Sequence, residues 1–146
     1  LEVLRGDLLG LIDADAAAFK PLAAAYGLPK ETPEQKRAKE EALQAALRDA
    51  CLVPLRIMEV CCVVLSEARF MAENGSKLAV SDAGASALLA RAAAEAASLN
   101  VFINTGTMAD RELAASFEKQ ADELIERANA EAELVGTLVI GAIRKA

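Results

Sequence analysis

Strong helix-breaking signals occur at only three places in this chain, and long segments rich in Ala and Leu lie between them. Ala and Leu favour helices, and Ala is a poor strand former. No segment shows the alternation of apolar and polar residues that is typical of a half-buried strand. We therefore predict an all-α protein built as an up-and-down bundle of long helices. The interruptions are "YGLPK" (26–30), "NGS" (74–76) and the short turn before "TMAD" (107–110).

Start and stop signals give the limits of the first two helices. The first is expected over residues 1–26, where Gly and Pro end it. The second is expected to begin after Thr32, whose side chain forms a capping box with Gln35, and to continue to Asn74. Pro54 lies inside this helix, so we expect a kink or a division in two.

The third and fourth helices have similar signals. The third is expected over residues 81–104, with Ser81 as its N-cap and Asp82 placed favourably against the helix dipole. The fourth is expected to begin with a second capping box, from Thr107 to Asp110, and to run to the end of the chain.

The length and charge of the chain limit its organisation and its partners. Its 146 residues are enough for one helical domain over 1–146 and too few to expect two. The net charge of −6 argues against nucleic acid as a partner. The fully apolar runs fall far short of the about 20 residues that a membrane span needs, so we expect no membrane association. Leu1 lies inside a helical pattern with no Met or cap before it, which indicates that an N-terminal segment is missing.

The content of His and Cys excludes several kinds of site. The chain has no His, which rules out zinc sites and triads that depend on imidazole, so no metal is expected. Cys51, Cys61 and Cys62 lie on one helical stretch, where they are poorly placed for disulfides. We interpret them as reduced core residues of a cytoplasmic protein.

Asp15 interrupts the apolar face of the first helix. Loss of hydration inside an apolar stripe raises the pKa of a carboxyl group, which makes Asp15 a candidate general acid or base. The alternative is a structural aspartate that is hydrogen-bonded to a neighbouring helix. The face, drawn at about 100° per residue, comprises Leu1, Leu4, Leu8, Leu11, Ile12, Phe19, Leu22 and Tyr26.

The third helix carries polar residues along one line. Asp82 and Asn100 are separated by five full turns, and Ser86 and Asn104 lie within about 40° of that line. We expect this line to face the packed side of the helix. Its ends are about 27 Å apart, so they form separate sites or are brought together by a symmetric partner. Helix capping would account for the polar residue at Ser81, but it does not account well for Asn100.

A basic cluster surrounds the predicted start of the second helix, where free backbone N–H groups also attract anions. The cluster consists of Lys30, Lys36, Arg37 and Lys39. Acidic residues are interleaved with it, so a solvated surface is the simpler interpretation.

Five short motifs occur in this order along the chain: "LIDADAAAF" (11–19), "LPKETPEQK" (28–36), "VPLRIMEV" (53–60), "NGSKLAVSDAG" (74–84) and "LNVFINTG" (99–106). Together they resemble the cyclodeaminase/cyclohydrolase family of folate enzymes. The resemblance covers nearly the whole chain. Two features depart from the family pattern, because no Gly-rich "PGGGS"-like stretch is present and Gly75-Ser76 stands where Gly-Asn is frequent.

The resemblance implies a homodimer, formed through helix packing, that binds a tetrahydrofolate derivative in a cleft. It implies Asp15 and Asp82 as the catalytic residues, with Asp15 as the acid/base and Asp82 near the pterin or its cationic carbon. It further implies substrate binding by Lys30, Ser81, Asn100 and Asn104: the amides bind the pterin edge, and Lys30 binds the glutamate tail.

The expected reaction is hydrolysis of 5,10-methenyltetrahydrofolate to 10-formyltetrahydrofolate, with the folate as substrate and no metal. One alternative is the formimidoyltetrahydrofolate cyclodeaminase reaction. Another is a folate-binding or purely structural helical dimer without catalytic activity.

Overall fold

The computed structural model describes residues 2–145 and confirms the all-α prediction, with no strand in that range. A short 3-10 helix, Lys77–Ala79, directly precedes α3. The four long helices are α1 (Glu2–Gly27), α2 (Pro33–Asn74), α3 (Val80–Thr105) and α4 (Arg111–Arg144).

The predicted capping box starts α2. The backbone N–H of Gln35 donates to Thr32 Oγ1 at 3.2 Å, and the backbone N–H of Thr32 donates to Gln35 Oε1 at 3.1 Å. The helix then continues through Pro54 to Asn74 without a break, so the predicted division in two does not occur.

The predicted N-cap of the third helix is wrong. Ser81 lies in the first turn of α3, and Ala79 occupies the cap position without a side-chain hydrogen bond. Ser76 acts one turn earlier, where its Oγ accepts from the backbone N–H of Leu78 at 3.3 Å and caps the 3-10 helix. The chain is therefore already helical when it reaches Ser81. Asp82 lies in the first turn, as predicted.

The capping box predicted between Thr107 and Asp110 is also wrong. Asp110 is itself the N-cap of α4, because its carboxylate accepts from the backbone N–H of Leu113 at 2.9 Å. The Thr107 hydroxyl and backbone N–H instead donate to the backbone carbonyl of Asn104 at the end of α3, at 3.1 and 3.2 Å.

The core lies where α2, α3 and α4 meet, and small residues let α3 and α4 approach closely. An added Cβ at Gly84 on α3 would lie 3.0 Å from Val139 Cγ1 on α4. The core has two parts: a first around Leu47, Met58 and Val101, and a second around Leu65, Ala94, Ala128 and Val135. The described cysteines Cys51, Cys61 and Cys62 are all buried and free, as predicted.

Most of the apolar face predicted for the first helix is not buried. α1 packs mainly against α2, and its fully buried residues are Leu22 and Ala25. Ile12 and Phe19 remain 65% and 60% exposed. Leu1, also assigned to this face, lies outside the described residues. One helix therefore covers too little of α1 to bury its whole stripe.

One helical stretch of the described chain, Lys77–Thr105, is long and apolar enough by length and composition to cross a membrane, and its 18-residue apolar window has a mean hydropathy of 1.2. This stretch was not identified from the sequence, where only fully apolar runs were considered. About a third of this 18-residue window is buried inside the bundle (33%). An exposed ion pair, Arg91–Glu95 at 3.1 Å, lies in the middle of the helix. The expectation of no membrane association stays a prediction.

Candidate functional site

A cleft of about 340 Å³ lies between α1, α2 and the C-terminal end of α3. It combines a carboxylate and two side-chain amides with apolar and aromatic surface, a composition typical of small-molecule sites. We call it the α1–α3 cleft. It is lined by Asp15, Ala18, Phe19, Leu22, Tyr26, Ala50, Pro54, Asn100, Ile103, Asn104 and Thr107.

The cleft brings together three of the predicted site residues, namely Asp15, Asn100 and Asn104. Asp15 comes from α1 and the two asparagines come from adjacent turns of α3. They line the same cleft although 85 positions separate Asp15 from Asn100 (100 − 15). The cleft therefore presents a carboxylate and two amides that can each donate and accept hydrogen bonds.

Asp15 is exposed, so the predicted burial inside an apolar stripe is wrong for this chain. The reason is the shallow packing of α1 on α2, which leaves the neighbouring Phe19 open as well. The carboxylate is thus open to the cleft and to solvent, and the predicted loss of hydration does not arise from the packing of this chain.

Asn104 is held in place by α2. Its Nδ2 donates to the backbone carbonyl of Ala50 at 3.2 Å. Pro54, four residues after Ala50, has no N–H and cannot make the usual helical hydrogen bond to that carbonyl. Asn100 is exposed, one turn earlier on the same wall of the cleft.

Gln44 fixes the turn between α3 and α4 at the edge of the cleft. Its Oε1 accepts from the backbone N–H of Ala109 at 2.7 Å, and its Nε2 donates to the Thr107 carbonyl at 3.3 Å. Arg111 reaches the same turn and donates to the Thr105 carbonyl at 2.7 Å. The sequence did not single out Gln44 because its partners lie 63 and 65 positions away.

Asp82 lies at the opposite end of α3, beside a smaller pocket of about 170 Å³. This pocket is formed with the C-terminal part of α2 and also contains Glu67 and Ser86. The helical rise of about 1.5 Å per residue separates Asp82 from Asn100 by about 27 Å. The structure therefore does not bring the two predicted catalytic carboxylates together within one chain.

Lys30 and Ser81 line neither pocket. Lys30 is exposed in the loop between α1 and α2, close in sequence to the cleft residue Tyr26. In the same basic cluster, Lys39 Nζ donates to the carbonyls of Tyr26 and Leu28 at 2.6 and 2.9 Å. Lys39 therefore satisfies the carbonyls that end α1, which gives that lysine a structural role.

The polar line on α3 does not face the packed side of the helix, contrary to the prediction. Asp82, Ser86 and Asn100 are exposed, and so are Leu89 and Ala93, which lie on the same line between them. The line lies roughly a quarter turn from the centre of the buried face. The buried face is made of Ala83, Ala87, Ala90, Ala94, Ala97, Ser98, Val101 and Thr105.

The thiols are not candidates for nucleophilic chemistry. Burial raises the pKa of Cys51 and of Cys61 to about 11. Burial likewise raises the pKa of Cys62. At neutral pH all three are protonated, and the thiolate is the nucleophilic form. No group of three or more metal-ligating side chains occurs within residues 2–145.

Residues 1–123 match the family model described as formiminotransferase-cyclodeaminase. The chain belongs to this family. It is 40% identical over 129 residues to a methenyltetrahydrofolate cyclohydrolase of Methylorubrum extorquens, with 88% of this chain and 62% of that protein covered. It is 34% identical to a formimidoyltransferase-cyclodeaminase of Sus scrofa, of which it covers 24%. The resemblance inferred from the motifs is thereby confirmed.

The fold is also that of a solved family structure. The crystal structure of formiminotetrahydrofolate cyclodeaminase from Thermotoga maritima matches with a TM-score of 0.83 and 25% identity, over 97% of this chain and 67% of that one. The chain thus spans about three fifths of the length of its bacterial cyclohydrolase relative and about a quarter of the mammalian one.

The family motifs lie at the two ends of the bundle. Motifs 11–19, 53–60 and 99–106 each contribute residues to the α1–α3 cleft. Motif 74–84 forms the 3-10 helix and the start of α3, beside Asp82. The predicted site residues Asp82 and Asn100 therefore lie towards opposite ends of α3, and Ala-rich surface separates them.

Proposed function

We propose that the protein hydrolyses 5,10-methenyltetrahydrofolate to 10-formyltetrahydrofolate in the α1–α3 cleft. The observation that carries this proposal is that Asp15, Asn100 and Asn104 line one cleft of a family member. The 40% identity to a methenyltetrahydrofolate cyclohydrolase favours this reaction. The cyclodeaminase reaction is the second candidate, supported by the fold of the Thermotoga maritima protein at lower identity.

The substrate determines which groups are needed. Its N5–CH–N10 bridge is an amidinium cation, and water adds to the bridging carbon. Asp15 takes a proton from this water as the C–O bond forms, which gives a neutral carbinolamine. Asp15 then returns the proton to N5 as the N5–C bond breaks. The carbinol proton leaves to solvent, and the formyl group remains on N10.

Asn100 and Asn104 bind the polar edge of the pterin in this proposal, and Phe19 and Tyr26 provide aromatic surface for its ring. Lys30, in the loop that follows Tyr26, binds the carboxylates of the glutamate tail. A carboxylate–ammonium contact at an exposed lysine supports affinity and contributes little to the chemical step.

We further propose that the protein is a homodimer in which two α3 helices pack antiparallel. The outward face of α3 exposes Leu89 and Ile103 at 72% and 71%, and small exposed residues such as Ala93 between them permit close approach. Residues 82 and 104 are each eleven positions from Ala93 (93 − 82 and 104 − 93). A twofold axis near Ala93 therefore places Asp82 opposite the partner's Asn104 and completes the cleft.

The reaction is tested with purified protein by following the loss of the methenyl chromophore. Ammonia release from 5-formiminotetrahydrofolate and a folate-binding titration are measured in parallel. Loss of the chromophore with no ammonia release supports the main proposal. Ammonia release alone supports the cyclodeaminase. Binding without either reaction supports a non-catalytic folate-binding protein, and no binding supports a structural dimer.

The dimer is tested by mixing two inactive variants, Asp82→Asn and Asn100→Ala. In random heterodimers one of the two clefts has all its residues intact, so about a quarter of wild-type activity returns. No return of activity places both residues in one protomer or in separate sites, and refutes this arrangement. Ala93→Arg, at an exposed position, is expected to give a folded monomer by sedimentation.

A further inference from the structure

Pro54 interrupts the hydrogen bonding of α2 directly beneath the α1–α3 cleft. In a continuous helix the N–H of residue 54 would donate to the carbonyl of Ala50. Proline has no N–H, so this carbonyl is left for another donor. The donor is Asn104 Nδ2 from α3, at 3.2 Å. Pro54, Ala50 and Asn104 all line the cleft.

This contact fixes which way the Asn104 amide faces. A backbone carbonyl can only accept, so the amide nitrogen must point to Ala50 and Oδ1 must point away from it. Asn104 is half-buried, and none of residues 2–145 donates to its Oδ1. The amide therefore offers a free acceptor on the wall of the cleft.

We infer that Pro54 is a positioning residue, which orients Asn104 so that Oδ1 accepts a hydrogen bond from an N–H group of the bound ligand. On the pterin, such donors are the N–H and amino groups of the pyrimidine ring. This inference rests on the proposed folate function. It assigns to the proline a role in selecting ligands that present N–H donors.

Pro21 provides a matched control within the same chain. It also lies inside a helix, α1, and leaves the carbonyl of Ala17 without its helical donor. Pro21 is exposed and does not line the cleft, and within the described chain no side chain donates to Ala17.

The test compares Pro54→Ala and Pro54→Val with Pro21→Ala. Both changes at residue 54 restore an N–H that competes with Asn104 for the Ala50 carbonyl, and valine has three side-chain carbons, as proline does, whereas alanine has one. We expect KM for 5,10-methenyltetrahydrofolate to rise about three- to tenfold, the range for one neutral hydrogen bond, with kcat within about twofold. In the Asn104→Ala background, the same changes are expected to leave KM unaltered. Pro21→Ala is expected to leave KM unaltered in either background.

An equal change of KM in the Pro54 and Pro21 variants, or additive effects of Pro54→Ala and Asn104→Ala, would overturn the inference. The amide is also observed without folate, by NMR of its side-chain NH2 resonances, assigned by their loss in Asn104→Asp. We expect slow hydrogen exchange in the wild type and faster exchange in Pro54→Ala. Unchanged exchange also overturns the inference. Faster exchange in a protein without folate activity supports the orientation and refutes the proposed function alone.

Discussion

Replacement by alanine should lower the free energy of unfolding at Asn104 and leave it nearly unchanged at Asn100, although the two amides look equivalent in the sequence. Asn104→Ala removes the donor to the Ala50 carbonyl, and Pro54 prevents any helical replacement. A hydrogen bond contributes about 0.5–1.5 kcal/mol net, and an acceptor left unsatisfied costs about 1–3 kcal/mol. We expect a loss of about 1–3 kcal/mol in the free energy of unfolding. Asn100 is exposed, and the change to alanine there should stay within about 0.5 kcal/mol.

Asn104→Asp extends this series. The carboxylate has nearly the same shape but only accepts at neutral pH, so it places an oxygen against the Ala50 carbonyl. We expect it to be less stable than Asn104→Ala, because repulsion is added to the lost hydrogen bond. Urea unfolding at one pH, followed by circular dichroism, measures all three variants. Equal stability of Asn104→Asp and wild type would show that the contact with Ala50 does not hold the amide.

Three further predictions concern the packing and the thiols. Gly84→Ala should lower the stability in urea unfolding by at most about 2 kcal/mol, because crowding of its Cβ at 3.0 Å from Val139 Cγ1 costs about 1–3 kcal/mol and alanine regains about 1 kcal/mol of helix propensity; a gain in stability would mean that the α3–α4 contact yields freely. Cys51, Cys61 and Cys62 should resist alkylation at pH 7 until the protein unfolds, since burial raises the pKa of each thiol; mass spectrometry that finds native labelling would contradict this. Gln44→Ala should speed hydrogen exchange at the Ala109 amide, which now donates to Gln44 at 2.7 Å, and unchanged exchange would argue against its role.

The helices could be predicted because their signals are local. The capping box of Thr32 and Gln35 was correct, because Pro33 marks the first helical position directly after Thr32. The errors at Ser81 and Asp110 arose where several capping residues lie close together. Ser76 begins the helical path earlier than Ser81, and Asp110 follows the turn that contains Thr107. The local sequence does not show which of several nearby polar residues becomes the N-cap.

The candidate site could be predicted only in part, because it depends on which elements cover one another. The helical rise correctly separated Asp82 from Asn100, since that distance is fixed by one helix. A helical wheel placed Asp15 on an apolar face but could not show that α2 covers little of it. The link from Pro54 to Asn104 joins two helices, and no periodicity within either helix predicts it.

The central claim is that Asp15 performs acid–base chemistry on a folate in the α1–α3 cleft. It is tested most directly by comparing wild type and Asp15→Asn for loss of the methenyl chromophore, with folate binding measured on the same samples. We predict turnover by the wild type and a loss of about 10²–10⁴-fold in kcat for the variant, because the group that moves the proton is removed. Folate affinity should change little, and stability should change by at most about 0.5 kcal/mol, because Asp15 is exposed. Near wild-type kcat in Asp15→Asn would contradict the claim.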